Sequence, residues 1–339
     1  MQDVYFKKTN TTDTNELSKI AKQLFHKIIH DKDIKLEKDA VIKVHFGEKG
    51  NETYLPANIY NELITYLKEN NSSPSYIETN VLYRGARTNR TNHIKLAKEH
   101  GFTQIPIVIA DGEIGEDYYE AEINKQFFKT CKIAKEYQKH NQVIVCSHFK
   151  GHIVAGFGGA LKQLGMGFAA RGGKLAQHSQ MKPSVKPEKC ILCGLCVEKC
   201  DVKAIELKEY AVIDHNTCVG CAGCIAVCPQ GAISHDWNAT NFQERLMEYA
   251  YAAQQNKTNI YISFLINITK DCDCMGEKMP LITNNIGVMV SLNPVAIDSA
   301  CLDIVQQESK QNLFEAGRNS LKYAEEIGLG STKYRIIEV

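Results

Sequence analysis

CILCGLCVEKC (190–200) and CVGCAGCIAVCP (218–229) are two copies of one spacing, Cys-x2-Cys-x2-Cys-x3-Cys, the second closed by proline. Each cysteine of the first copy recurs twenty-eight positions later: Cys190 as Cys218, Cys193 as Cys221, Cys196 as Cys224 and Cys200 as Cys228. Ala204-Ile205 recurs as Ala232-Ile233 at the same interval. A cubane iron–sulfur cluster needs four thiolates, and in runs of this spacing three come from one tight loop while the fourth reaches across to the other cluster. The spacing therefore predicts two [4Fe–4S] clusters. Cys190, Cys193, Cys196 and Cys228 would hold one, and Cys218, Cys221, Cys224 and Cys200 the other. Such crossed ligation calls for a duplicated loop-plus-strand unit about a pseudo-twofold axis.

Zinc ribbons use pairs of CxxC with longer gaps, not four cysteines per run. Disulfides suit an exported chain, and MQDVYFKKTNTTDTNE (1–16) lacks the basic-then-apolar layout of an export signal. Across residues 186–235 the segment resembles bacterial two-cluster ferredoxins. It departs from them at Asp201, where proline usually follows the fourth cysteine; no ligand is lost.

The chain has 339 residues, thirteen cysteines, a net charge of +1 and 23% charged residues. That balance gives no sign of a nucleic-acid or membrane surface, and no apolar run approaches the ~18 residues that span a bilayer. The reading is a cytoplasmic protein of an anaerobe. Between Lys186 and Ser234, five lysines face six aspartates and glutamates. Free ferredoxins commonly steer to partners with a strongly acidic surface, so a nearly neutral segment reads as a relay packed against the rest of its own chain.

On both sides of this segment, apolar runs alternate with amphipathic ones. Strands are expected at Ala40–Phe46, Ser75–Thr79, Ile105–Ala110, Val143–Cys146, Ile260–Ile268 and Ile286–Ser291. Helices are expected at Leu17–Ile29, Ile59–Leu67, Thr91–His100, Lys125–Lys139, Thr240–Gln255 and Pro294–Gln307. Alternation with near-continuous apolar strands predicts an α/β domain with a mostly parallel sheet. The expected organisation is a discontinuous α/β host (1–184 and 236–339) with an inserted α+β ferredoxin-like domain (185–235).

In open parallel sheets, ligands sit beyond the carboxyl ends of the strands. Those ends carry His45 and Glu48, Glu78 through Arg84 and Arg87, Asp111, then His148, Lys150 and His152, and finally Asp271-Cys272-Asp273-Cys274. Together they predict one polar rim. Arg84, Arg87, Lys150 and Lys162 would bind a small anion, with a histidine moving protons. His148 and His152 would share a helix face, but Gly151 between them argues against a helix. Cys272 and Cys274, on one extended loop, do not easily close a disulfide but suit a soft metal. With His45, His148, His152 or His178 they would complete a third metal site; otherwise they are turn thiols or a redox pair. Gly156–Lys162 is glycine-rich ahead of a short helix. It can offer N–H groups to an anion, with Lys162, Arg171 and Lys174 adding charge. It matches neither GxxxxGK[ST] nor GxGxxG.

HFGEKGN (45–51), TNVLYRGAR (79–87), VIADG (108–112), SHFKGH (147–152), GGALKQLGMG (158–167), DCDC (271–274) and NIGVMVSLNPVAIDSA (285–300) resemble the family catalogued as domain of unknown function 362. The resemblance spans most of the chain. It implies the fold and a two-cluster ferredoxin cassette, and it names no reaction. The expected function is an iron–sulfur redox protein, in enzymatic form a ferredoxin-linked oxidoreductase, passing electrons to or from a ligand, metal or partner protein at the rim. The alternatives are a non-enzymatic carrier or docking subunit of an oxidoreductase, and a metal-dependent isomerase or hydrolase with structural clusters.

Overall fold

The computed structural model describes residues 1–83, 85–178, 182–218, 220–235 and 240–339. The six expected strands form part of an eight-stranded sheet. Its spatial order is Tyr334–Glu338, Gln2–Lys8, Gly287–Ser291, Ile260–Leu265, Val143–His148, Val41–Lys43, Ser75–Glu78, Ile107–Ile109. Five of the seven ladders are parallel; only Gly287–Ser291 runs against both its neighbours. The fold is mixed α/β with a large, mostly parallel sheet, as the alternation predicts. The central strands are buried on both faces, which is why VIVCSH and IYISFL carry almost no outward polar residue.

Helices cover both faces. Thr14–Asp31 starts where the Asp13 side chain accepts the Asn15 N–H at 2.9 Å, and it buries Leu17, Ile20, Ala21, Leu24, Phe25 and Ile28. Each of its large apolar side chains contributes about 1.5–3 kcal/mol on burial. Asn61–Glu69 packs beside it on that face. Ala160–Gly165, Phe242–Gln254, Pro294–Ser309 and Gly317–Glu326 cover the other. Within the described residues no helix is long and apolar enough to cross a membrane.

One expected helix is absent. Residues 125–139 instead contribute the second strand of a hairpin, Tyr118–Glu122 with Thr130–Ala134, followed by a short 3-10 turn at Lys135–Lys139. Thr130 and Lys132 turn outward while Cys131 and Ile133 are buried, a period of two. Asn124 at φ +49° lies in the turn between the two strands. Two edge-side strands, Gln2–Lys8 and Tyr334–Glu338, give no clear signal in the sequence because their faces mix polar and apolar residues.

In the cysteine-rich segment, Ile205, Ala211, Ile225 and Ile233 form one small core together with Leu82 and Leu175. Each cysteine run leads into a short helix, Leu195–Glu198 or Gly223–Val227. Ser184–Val185 pairs antiparallel with Ile233–Ser234, so chain entry and exit lie side by side. Ser184, on the host side of the expected boundary, takes part in this pairing.

Candidate functional site

In the cysteine-rich segment, Cys190, Cys193, Cys196 and Cys228 line one small cavity together with Leu192, Pro229 and Ile233. The thiol of Cys224 is pushed up to about 12, by burial first and then by the facing sulfurs of Cys221, Cys218, Cys196 and Cys200. Cys228 of the second run thus shares a cavity with three cysteines of the first, and Cys224 has sulfurs of both runs near it. Backbone N–H groups already point at sulfur: Ala204 to Cys200 and Ala232 to Cys228, each at 3.2 Å, and Ala211 to Cys190 at 3.4 Å. The Ala204 and Ala232 contacts are repeat equivalents. A set of thiols with amide donors and an apolar surround fits a group bound through thiolate sulfur, where such hydrogen bonds tune potential.

The strand ends converge, as expected, on one cavity of about 390 Å³. His45, Arg87, His148, Lys150, His152, Lys162, Cys272 and Cys274 all line it. Glu48 stands behind, its carboxylate 3.1 Å from Arg87 Nε. Arg84 lies outside the described residues. Glu78, Lys174, His178 and Asp273 also line the cavity. Glu78 and Asp273 belong to the expected rim, His178 to the expected third-site histidines, and Lys174 to the charge expected beside the glycine-rich turn.

Most charges here are paired. Lys43 meets Glu78 at 2.9 Å, and Lys150 meets Asp273 at 2.6 Å. Asp273 is buried, which alone would push its carboxyl up, but His148 and Lys150 outweigh this and hold it well below the usual range. His148 presents Nδ1 to Asp273 at 3.0 Å and Nε2 to the Ile266 carbonyl at 2.7 Å, so acceptors face both ring nitrogens. Lys174 donates to Thr79 Oγ1 and to the Ala169 carbonyl, both at 2.6 Å. Burial lowers it to about 8, opposed by Asp111. Lys162 differs: among the described residues its side-chain nitrogen makes no hydrogen bond or ion pair, and burial, then Lys150, bring it down to about 7. Lys162 thus points a side-chain nitrogen into the cavity that burial makes easy to deprotonate.

His148 and His152 do not share a helix. His148 ends a sheet strand and His152 ends the first strand of a hairpin, Lys150–His152 with Gly156–Gly158. The glycine-rich turn does not cradle an external anion either. The N–H groups of Ala160 and Leu161 go to the Asp298 carboxylate at 2.9 and 2.8 Å, so the chain supplies its own acceptor. Gly159 is required there, since a Cβ would sit 2.4 Å from Asp298 Oδ1. Burial raises Asp298 to about 7.

Cys272 and Cys274 are joined as a disulfide with Cα atoms 5.3 Å apart. The expectation that alternate residues resist this pairing assumed an extended loop; residues 271–277 instead bend, bringing the Cα atoms within ordinary disulfide range. A His152 ring nitrogen and the two sulfurs lie within 4.8 Å of one another.

The fold and sites define an α/β protein with an inward-facing cationic cavity and a duplicated cysteine segment. Residues 40–303 match the model of the domain of unknown function (DUF362) family, and the chain belongs to that family. It is 44% identical over 45 residues to one subunit of an ion-translocating oxidoreductase complex from Methanosarcina acetivorans, covering 13% of this chain and 17% of that one. It is 30% identical over 73 residues to Ferredoxin-3 of Nostoc sp., covering 16% of this chain and 75% of the ferredoxin. The chain thus spans about a sixth of the first relative's length and three quarters of the second's. Among solved structures, a Thermotoga maritima protein aligns at TM-score 0.43 and 8% identity over 94% of this chain and 60% of that one. The lactate racemase apoprotein of Thermoanaerobacterium thermosaccharolyticum aligns at 0.40 and 13%, over 78% of this chain and 51% of that one.

Proposed function

We propose that this chain is an iron–sulfur redox protein, in which an inserted ferredoxin-like domain (residues 185–235) serves a ligand site in the α/β host (1–184 and 236–339). The carrying observation is the gathering of Cys190, Cys193, Cys196 and Cys228 around one cavity, although Cys228 belongs to the other run. Cys218, Cys221, Cys224 and Cys200 would hold the second [4Fe–4S] group. The alignments of 45 and 73 residues to an oxidoreductase component and a ferredoxin support an iron–sulfur, electron-transfer role for a segment of this size. Bound there, the clusters supply one-electron transfer.

The chain's own residues do the rest. Leu82 packs in the small core beside Ile205 and also lines the host cavity. The helix Arg171–His178 sets Gly172 against the Gly220 carbonyl and Cys221 Cα, where a Cβ would meet them at 3.0 and 3.1 Å. From the same helix Lys174 and His178 reach the cavity. Lys162 draws in a small anion, while Lys150, tied to Asp273, keeps the floor fixed. Anaerobic purification with iron and acid-labile sulfide analysis tests this reading. About eight of each per chain are expected for two cubanes. A chain that carries stoichiometric zinc and no iron would refute it.

A further inference from the structure

The pairing of Cys272 and Cys274 lies inside the cationic cavity, not at a distant surface. Cys272 is 3% exposed and Cys274 is half-buried. His152 stands against the two sulfurs. Its Nδ1 accepts the N–H groups of Val154 at 3.2 Å and Ala155 at 3.0 Å. Burial, then Lys162, His178 and Lys150, keep this ring neutral. A neutral imidazole with Nδ1 as acceptor carries its hydrogen on Nε2. With Nδ1 engaged as acceptor, the ring can act through Nε2–H as a proton donor beside sulfur. Asp273, between the cysteines, is tied to His148 and Lys150, and the Glu48 N–H donates to its carbonyl at 3.2 Å. These ties hold the loop in place whether or not the sulfurs are bonded.

We propose that Cys272 and Cys274 form a redox-active disulfide at which two single electrons are collected into one two-electron reduction. The S–S bond breaks; each sulfur gains one electron and one proton, giving two thiols. The electrons come from one-electron donors, the iron–sulfur region of this chain, recharged by a low-potential one-electron carrier protein. The protons come from the His152 Nε2–H and the Lys162 ammonium, both replenished through the cavity mouth. The proposal rests on the iron–sulfur reading for its electron source and not for the disulfide itself.

The test uses anaerobic, iron-loaded full-length protein reduced by photoreduced deazaflavin, a one-electron donor. Thiols are trapped with iodoacetamide and mapped by mass spectrometry. Cys272 and Cys274 should be unlabelled as isolated and both labelled after reduction. Wild type should take up about four electrons per chain, and Cys272→Ser/Cys274→Ser about two, at unchanged iron content. Cys221→Ser, with one cluster site disabled, should slow the labelling without preventing opening by dithiothreitol. Labelling of both cysteines as isolated, a stoichiometric soft metal lost in the double variant, or equal electron uptake by the two proteins would overturn the proposal. Absence of iron from wild type would instead defeat the iron–sulfur reading and, with it, the electron source.

Discussion

Glu78→Ala tests whether the cavity floor is held by a buried ion pair. Lys43 is fully buried and Glu78 nearly so, with 0% and 5% of their side chains exposed. The three ammonium hydrogens have three acceptors: Glu78 Oε1 at 2.9 Å, Val44 O at 2.8 Å and Gln163 Oε1 at 2.7 Å. Removing the carboxylate leaves a charge in the core, which costs about 3–5 kcal/mol, against about 0–1 for an exposed pair. Burial already pushes Lys43 down and Glu78 is the main force opposing it. Without Glu78, Lys43 can shed its proton, which limits the loss to the lower end, about 3 kcal/mol at pH 7. The sign follows: a lysine lowered in the folded state makes the variant relatively more stable as pH rises toward the unfolded value. Urea unfolding followed by circular dichroism, under anaerobic conditions, gives the difference. Lys43→Met/Glu78→Leu should recover most of the loss, because an apolar pair leaves no charge behind. A single-variant loss below about 1 kcal/mol, or a double variant as unstable as the sum, would refute the reasoning.

Asp298→Ala orphans the Ala160 and Leu161 N–H groups and should cost about 2–4 kcal/mol by denaturant unfolding. Since Asp298 is raised to about 7 when folded, its contribution is present in acid and is lost as pH rises through that value, by on the order of 4 kcal/mol; the variant should lack this slope. Cys200→Ser should lower iron to about half, whereas Cys301→Ser, a buried thiol in Pro294–Ser309, should leave iron unchanged. Small-anion binding, measured by calorimetry with inorganic phosphate, should weaken about tenfold in Lys162→Met. In wild type it should weaken as pH rises through about 7, where Lys162 loses its charge.

Much of the fold was legible because its signals are local. VIVCSH and IYISFL announce strands buried on both faces by composition alone. The hairpin at 118–134 is not legible in the same way: the amphipathic run through Lys125–Lys139 satisfies helix spacing as well, and pairing with Tyr118–Glu122 decides against it. Convergence of the strand ends on one cavity followed from sheet topology, so His45, Arg87, His148 and the two cysteines could be named in advance. The role of Asp298 could not, since it meets the 160–161 turn only across 137 residues of intervening chain. Likewise the lone pair of His152 is committed by backbone N–H groups two and three residues on, a detail of conformation that composition does not carry.

The proposed two-cluster unit rests on Cys228 sharing a cavity with Cys190, Cys193 and Cys196, and on Cys224 having sulfurs of both runs near it. Electron paramagnetic resonance of the fully reduced protein addresses it most directly. About two spins per chain are expected, in lines broadened by interaction between neighbouring [4Fe–4S] centres. A single unperturbed centre, or no iron signal in a folded chain, would contradict it.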